Sequence, residues 1–318
     1  MSANLQGHLS RRDALKLGAG LGAGLLLGAR GLRSEASPML PDLITKPIPS
    51  SGEELPVIGI GTSRRYEVGT SEGERYPLRN VVDSFVAMGG RVIDTAAGYG
   101  SAEIVVGDLV EELGVRDQVF FATKTGAGGD GTEAAVVEIE RSFERLHTDV
   151  IDLMYIHNLQ GWQEMFPVLR EMKQEGRIRY YGTTTTPRED DYAELLQILQ
   201  EEPLDFIEMD YAIDNRGVEE RVLPMAADQG VAVFVALPFG RGRVFSALGD
   251  QDVPDWAQEL GIETWAQFAL KYVVSHPAVT VAIPGTAKME YVADNINAAL
   301  GRLPDEATRQ RMVSLVEG

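Results

Sequence analysis

A (β/α)8 barrel of the TIM type is the fold that this chain of 318 residues predicts, on three observations. Short apolar, strand-like runs recur at 57–61, 91–95, 119–124, 151–156, 179–183, 206–209, 231–236 and 279–283, eight in all. Helix-like patterns lie between them. No Pro/Ser-rich linker breaks the series, so the units form one domain, and eight of them close a barrel rather than build an open sheet.

The first 36 residues stand outside that series. Ser10-Arg11-Arg12-Asp13-Ala14-Leu15-Lys16 has the S-R-R-x-x-x-K form of a twin-arginine export signal. A moderately apolar, Gly-rich run from Leu17 to Ala29 follows, then Arg30 and Arg33. That run is too short for a transmembrane helix, which needs ~20 apolar residues. Small residues in Ser34-Glu35-Ala36 place cleavage after Ala36, leaving a mature barrel domain of 37–318. The expectation is a chain that engages the twin-arginine (Tat) export machinery. Its mature form is periplasmic or secreted, with no stable insertion in the membrane. Gly18, Gly20, Gly22 and Gly24 do not make a phosphate loop, since no strand precedes them and no βαβ unit follows.

Next comes an N-terminal β-hairpin. Ile44–Ile48 and Glu54–Val57 flank the turn cluster Pro49-Ser50-Ser51-Gly52. Among the helices, 132–146 is the clearest, with Ala135, Val136, Ile139, Phe143 and Leu146 at helical spacing. Asp305–Glu317 reads as a final helix after Leu303-Pro304.

Composition excludes several functions. Hydrophobic residues make up 44% of the chain, enough for a large core, and the absence of cysteine rules out disulfides, thiolate zinc sites and cysteine nucleophiles. A net charge of −19 argues against nucleic acid or an anionic membrane as a partner. Removing 1–36 makes the chain more acidic still.

The chemistry gathers around Arg91–Gly100, RVIDTAAGYG. A short buried strand delivers Asp94 to its C-terminal end, and Tyr99 follows past Ala96-Ala97-Gly98. A phenol loses its proton near pH ~10, so it is a poor acid at neutral pH unless a fixed cation stabilises the phenolate. Two later strands supply partners: FFATKT carries Lys124, and VIDLMYIHN carries His157. All four side chains fall at the C-terminal ends of strands, the rim on which barrel active sites are built.

Two rival sites are weaker. Gly126, Gly128 and Gly131 spell G-x-G-x-x-G, but a dinucleotide fold needs an acidic residue at the end of the next strand, and that strand ends in His157. The Gly59-x-Gly61 pair has Arg64 where the third glycine belongs. A metal site is hard to assemble from His8, His147, His157 and His276, none of which forms a ligand-spaced pair.

With D-T-A-x-x-Y-G, T-K and Y-I-H-N in this order, the chain resembles the aldo-keto reductase superfamily over roughly residues 44–299. The resemblance implies a catalytic tetrad of Asp94, Tyr99, Lys124 and His157. Tyr99 would protonate the alkoxide formed by hydride reduction of an aldehyde or ketone. Lys124, held charged by Asp94, would lower the tyrosine pKa, and His157 would orient the carbonyl. The cofactor implied is NADPH, with NADH possible.

Cofactor positions follow by the same resemblance. Gly61 and Thr62 match the G-T after the first strand. Thr184 and Thr185 stand where the family has Ser-Asn against the carboxamide, and Glu208 where it has a glutamine. Ala236 replaces a stacking aromatic. Phe239, Gly240 and Arg241 match the loop over the pyrophosphate, while Gly285, Thr286, Asp294 and Asn295 match the adenosine end. Tyr291 replaces an arginine that grips the 2′-phosphate, leaving Lys288 as the nearby cation, with Arg241 able to assist. The competing reading is a redox-silent barrel that keeps the fold and binds a small ligand or a protein partner.

Overall fold

The computed structural model describes residues 42–186 and 192–318. The twin-arginine segment and its cleavage point lie outside the described residues.

β1 (Thr45–Pro47) and β2 (Glu54–Pro56) pair antiparallel, with Thr45 opposite Pro56 and Pro47 opposite Glu54. The hairpin forms the floor of the barrel. Ile48 and Leu55 are buried in the inner core with Val92, Phe120 and Phe206. Lys46 donates to the carbonyls of His276 and Val279 at 2.7 and 2.6 Å, and Glu53 pairs with Arg91 and Arg179.

Eight parallel strands follow: β3 (Ile60–Gly61), β4 (Val92–Asp94), β5 (Phe120–Thr125), β6 (Ile151–Ile156), β7 (Ile178–Thr185), β8 (Phe206–Asp210), β9 (Ala232–Ala236) and β10 (Val281–Ala282). Most strand residues are buried, as expected of strands covered on both faces, and this is why they read as continuous apolar runs. The first and last strands are shorter than the runs 57–61 and 279–283 predict. They meet at the seam through bonds from flanking residues: Gly59 N to Ala282 O at 2.9 Å, Ala282 N to Val57 O at 2.9 Å and Gly61 N to Pro284 O at 3.0 Å. Glycine is required there, because a Cβ on Gly61 would lie 2.7 Å from the Ile283 carbonyl.

The helices are α1 (Glu72–Ala87), α2 (Ala102–Leu113), α3 (Thr132–Arg145), α4 (Trp162–Gln174), α5 (Ala193–Glu201), α6 (Val222–Gln229), α7 (Arg243–Leu248), α8 (Asp255–Gln258), α9 (Trp265–Ser275), α10 (Met289–Asn297) and α11 (Glu306–Glu317). Their apolar faces bury the outer surface of the strands in a second, larger core. Asp305 caps α11 by accepting from Thr308 N at 2.9 Å. The glycine-rich segment after β5 is a tight turn and not a phosphate cradle. Gly126 N and Ala127 N both donate to Glu138 Oε2, at 2.7 and 3.1 Å, so the amides a phosphate would need are already taken.

Inside the barrel the packing is aromatic through its middle, with Phe206 and Phe234 crossing edge to face at 5.1 Å. Above that layer, at the C-terminal rim, the inward side chains turn charged. The hairpin seals the opposite end, so the rim is where a ligand can enter.

Candidate active site

Three charged side chains meet at the top of the inner core. Asp94 ends β4, Lys124 lies near the end of β5 and Glu208 points in from β8, across the barrel. Lys124 Nζ donates to both Asp94 carboxylate oxygens at 2.6 Å and to the Thr95 carbonyl at 3.0 Å. Glu208 Oε2 lies 3.1 Å from the same nitrogen. Side-chain exposures are 0% for Lys124, 3% for Asp94 and 5% for Glu208, so water does not screen these charges. Burial and the neighbouring Glu208 charge push the Asp94 carboxyl well above the usual range, against the pull of Lys124. Burial works against the Lys124 ammonium, but the two carboxylates outweigh it and raise its pKa. Lys124 is therefore charged, and one carboxylate is enough to balance it.

Tyr99 stands above this group, its ring centroid 5.5 Å from Lys124 Nζ and edge to face with His157 at 5.8 Å. The resemblance implies a lowered phenol pKa, and the structure corrects it. Lys124 is the strongest single influence and does lower it, but burial, Glu208 and Asp94 together push the phenol up to about 12. The Ser63 hydroxyl also hydrogen-bonds Tyr99. Burial and then the Lys124 charge lower the His157 pKa, so its imidazole is neutral at neutral pH and offers one N–H donor.

These groups line a cavity of about 680 Å³. Asp94, Tyr99, His157, Gly61, Thr62, Thr184, Glu208, Phe239, Arg241 and Gly285 all border it, while Lys124 lies beneath. Thr185 does not: alternation along β7 turns Thr184 and Thr186 inward and Thr185 away. Gly240 is also off the cavity wall, and a Cβ on it would lie 2.3 Å from Asp214 Oδ1, so it makes room for that side chain. Thr286 and Asn295 are buried against each other, Asn295 Nδ2 donating to Thr286 Oγ1 at 2.9 Å. Asp294 accepts from Thr264 at 2.9 Å and Gln267 at 2.8 Å, tying α10 to α9. Lys288 is exposed and 3.7 Å from Glu290.

Several cavity residues had no signal in the sequence. Arg64 and Arg65 line the mouth with Arg241, and among the described residues none of the three forms an ion pair with a carboxylate. Arg64, Asn158, Leu237 and Arg241 have φ of 58°, 53°, 54° and 56°. Non-glycine residues avoid that region, and where it persists it clusters at functional sites. Such strain depends on three-dimensional closure, which local sequence does not encode. Among the described residues, no group of three or more His, Asp or Glu side chains is arranged to hold a metal ion.

Comparison with known proteins agrees with this geometry. The chain is 29% identical over 259 residues to the methylglyoxal reductase YeaE of Escherichia coli, a match covering 79% of this chain and 88% of that protein. It is 28% identical over 276 residues to an NADH-specific methylglyoxal reductase of the same organism, covering 69% of this chain and 82% of that one. Among solved structures it superposes on an aldo/keto reductase from Klebsiella pneumoniae in complex with NADP and acetate. The TM-score is 0.71 at 27% identity, over 83% of this chain and 93% of that one. The pattern that defines the Aldo/keto reductase family matches residues 57–311, and the chain belongs to that family.

Proposed function

We propose that this chain is an exported NADPH-dependent reductase of small aldehydes or ketones, with Tyr99 as the proton donor. The family assignment makes it an NAD(P)H-dependent carbonyl oxidoreductase; the proton donor, the substrate and the location are our own reading. One observation carries it: Tyr99, His157 and the charged base beneath them open onto a single cavity whose mouth holds the guanidinium groups of Arg64, Arg65 and Arg241.

The cavity suits a nicotinamide dinucleotide. Thr62 Oγ1 and Glu208 Oε2 border it without hydrogen-bond partners, and Gly61 and Gly285 put no side chain into it. Thr62, Thr184 and Glu208 would hold the nicotinamide half. Arg65 and Arg241 would meet the phosphates, and Lys288 would reach a 2′-phosphate. When bound, NADPH supplies the hydride, since no side chain can. The neutral His157 donates its N–H to the carbonyl oxygen and orients it. Tyr99 then gives its proton to that oxygen as negative charge develops, and Lys124 stabilises the phenolate left behind.

The relatives named as methylglyoxal reductases make a small 2-oxoaldehyde the first substrate to test. Incubating the mature chain with NADPH and methylglyoxal, then with a wider carbonyl panel, should consume NADPH. A chain that binds NADPH and oxidises it with no carbonyl is the redox-silent barrel. Export rests on Arg11-Arg12 and the apolar run after them. Wild-type chain should fractionate outside the cytoplasm, and a chain carrying Arg11→Lys with Arg12→Lys should stay inside. Identical distributions would end the export claim.

A further inference from the structure

The two buried carboxylates around Lys124 ask for more than the family chemistry supplies. The resemblance puts a neutral glutamine at the β8 position, whereas this chain puts Glu208 there, 3.1 Å from Lys124 Nζ. With Asp94 at 2.6 Å, one ammonium faces two carboxyl groups, all at 5% exposure or less. Both carboxylates thus converge on one ammonium nitrogen. One ammonium balances one ionised carboxylate, so the other is stable there only with a proton. A second uncompensated negative charge would also be costly in a space this dry.

Among the described residues, Lys124 is the one cation in ion-pair contact with either carboxylate. Tyr155 on β6 has its ring 5.7 Å from Lys124 Nζ, and burial holds its phenol protonated. His157 is neutral, Tyr99 is protonated, and the residues paired beside Glu208 are Thr184 on β7 and Phe234 on β9. Glu208 Oε2 has no hydrogen-bond donor of its own.

We infer that Asp94 and Glu208 hold a single proton between them, and that this proton sets the acid strength of Tyr99. The inference rests on Tyr99 being the proton donor. While the proton is present, Tyr99 faces one ammonium and one carboxylate, a neutral pair. When it leaves at higher pH, a second negative charge appears beneath the phenol. The phenolate is then harder to form, and carbonyl reduction slows. Glu208 is thus a positioning residue that acts on the reaction through its charge. The alkaline limb of the rate belongs to the Asp94–Glu208 pair and not to Tyr99 alone.

The test compares wild type, Glu208→Gln and Asp210→Asn as full folded chains. Asp210 is the control because burial also raises its carboxyl pKa, while it faces Arg241 and Arg243 rather than Lys124. Infrared spectra at pH 7 should show the carbonyl stretch of a protonated carboxyl group in wild type. That band should be lost in Glu208→Gln and kept in Asp210→Asn. The kcat profile for methylglyoxal reduction with NADPH should show the alkaline limb of Glu208→Gln moved up by roughly one pH unit or more, the usual size of a like-charge effect. If Glu208→Gln does not fold, Asp94→Asn gives the spectral readout, since the band must vanish with either partner. A wild-type spectrum with no Glu208- or Asp94-dependent band overturns the shared proton, and coincident alkaline limbs overturn its control of Tyr99. A wild type that shows the band but reduces no carbonyl would sink the proposed function and leave the shared proton standing.

Discussion

Tyr99 keeps its proton until it is needed. Lys124 pulls the phenol down, but burial and the carboxyl groups beneath it hold it up to about 12, and the same Lys124 waits to stabilise the charge that proton transfer leaves. Tyr99→Phe preserves the ring against His157 and deletes only the acid. Its kcat for carbonyl reduction should fall by ~10²–10⁴-fold, the usual worth of a general acid, while NADPH affinity barely changes. A variant that keeps most of its kcat would remove Tyr99 from the mechanism. A second residue-scale prediction separates the cations at the mouth. Lys288→Ala should weaken NADPH by about 1 kcal/mol and leave NADH unchanged, because an exposed cation contributes little. Arg65→Ala should weaken both, since its side chain lies by Gly285 on the cavity wall, where it would meet the pyrophosphate that both cofactors share. Equal losses in Lys288→Ala for the two nucleotides would assign the 2′-phosphate elsewhere. That Asp94, Tyr99, Lys124 and His157 gather at one rim was legible because residue type and strand-end position are local properties of the chain. The sign of the Tyr99 shift was not, because against the pull of Lys124 it turns on burial and on Glu208 crossing the barrel to within 3.1 Å of Lys124. The contact of Ser63 with Tyr99 was hidden for the same reason.

Strands inside a barrel announce themselves, since burial on both faces makes each a run of apolar residues. This is why six of the eight runs lie close to the observed strands, whereas the seam strands β3 and β10 shrink to two residues each. Pairing across a seam is set by closure geometry, which an apolar run cannot express. The short α7 and α8 lacked a periodic signal for a similar reason, being only 6 and 4 residues long. Helix packing yields a sharper test. Gly107 sits inside α2, where alanine would ordinarily stabilise by about 1 kcal/mol. Here a Cβ would lie 2.0 Å from the Arg145 carbonyl and 2.8 Å from Leu146 Cα, both backbone atoms at the end of α3. Overpacking should outweigh propensity, and Gly107→Ala should destabilise the fold by ~1–3 kcal/mol. Thermal unfolding decides it: a melting temperature above wild type would mean that α2 and α3 separate at little cost.

The molecule is strongly acidic, yet its floor buries a histidine among charges of both signs, and this shapes how the whole fold responds to pH. His276 ends α9 beneath the barrel, with Lys46, Arg309, Glu219 and Glu306 around it. Burial first, and then the Arg309 charge, push its imidazole down to about 4. In the unfolded chain it titrates near ~6.5. Between those values the unfolded state binds a proton that the folded state refuses, so stability rises with pH across that window. Read downward, stability is intact above pH ~6.5 and is lost as pH falls towards 4. Full burial would make the loss about 3 kcal/mol; partial exposure reduces it to roughly 1–2 kcal/mol. Asp94 acts in the opposite sense, because its folded pKa lies above its unfolded one and the native state gains as pH falls. The comparison must therefore hold Asp94 fixed. His276→Asn does so, and its amide oxygen can replace Nδ1 as the acceptor for Ala278 N, a bond of 3.2 Å in the native chain. Denaturant unfolding at pH 7 and pH 5 should show wild type losing roughly 1 kcal/mol more than His276→Asn, somewhat less than the whole effect because pH 5 lies inside the window. Equal losses in the two proteins would clear His276 and move the acid sensitivity to Glu53, which Arg179 holds below the usual carboxylate range against the effect of burial.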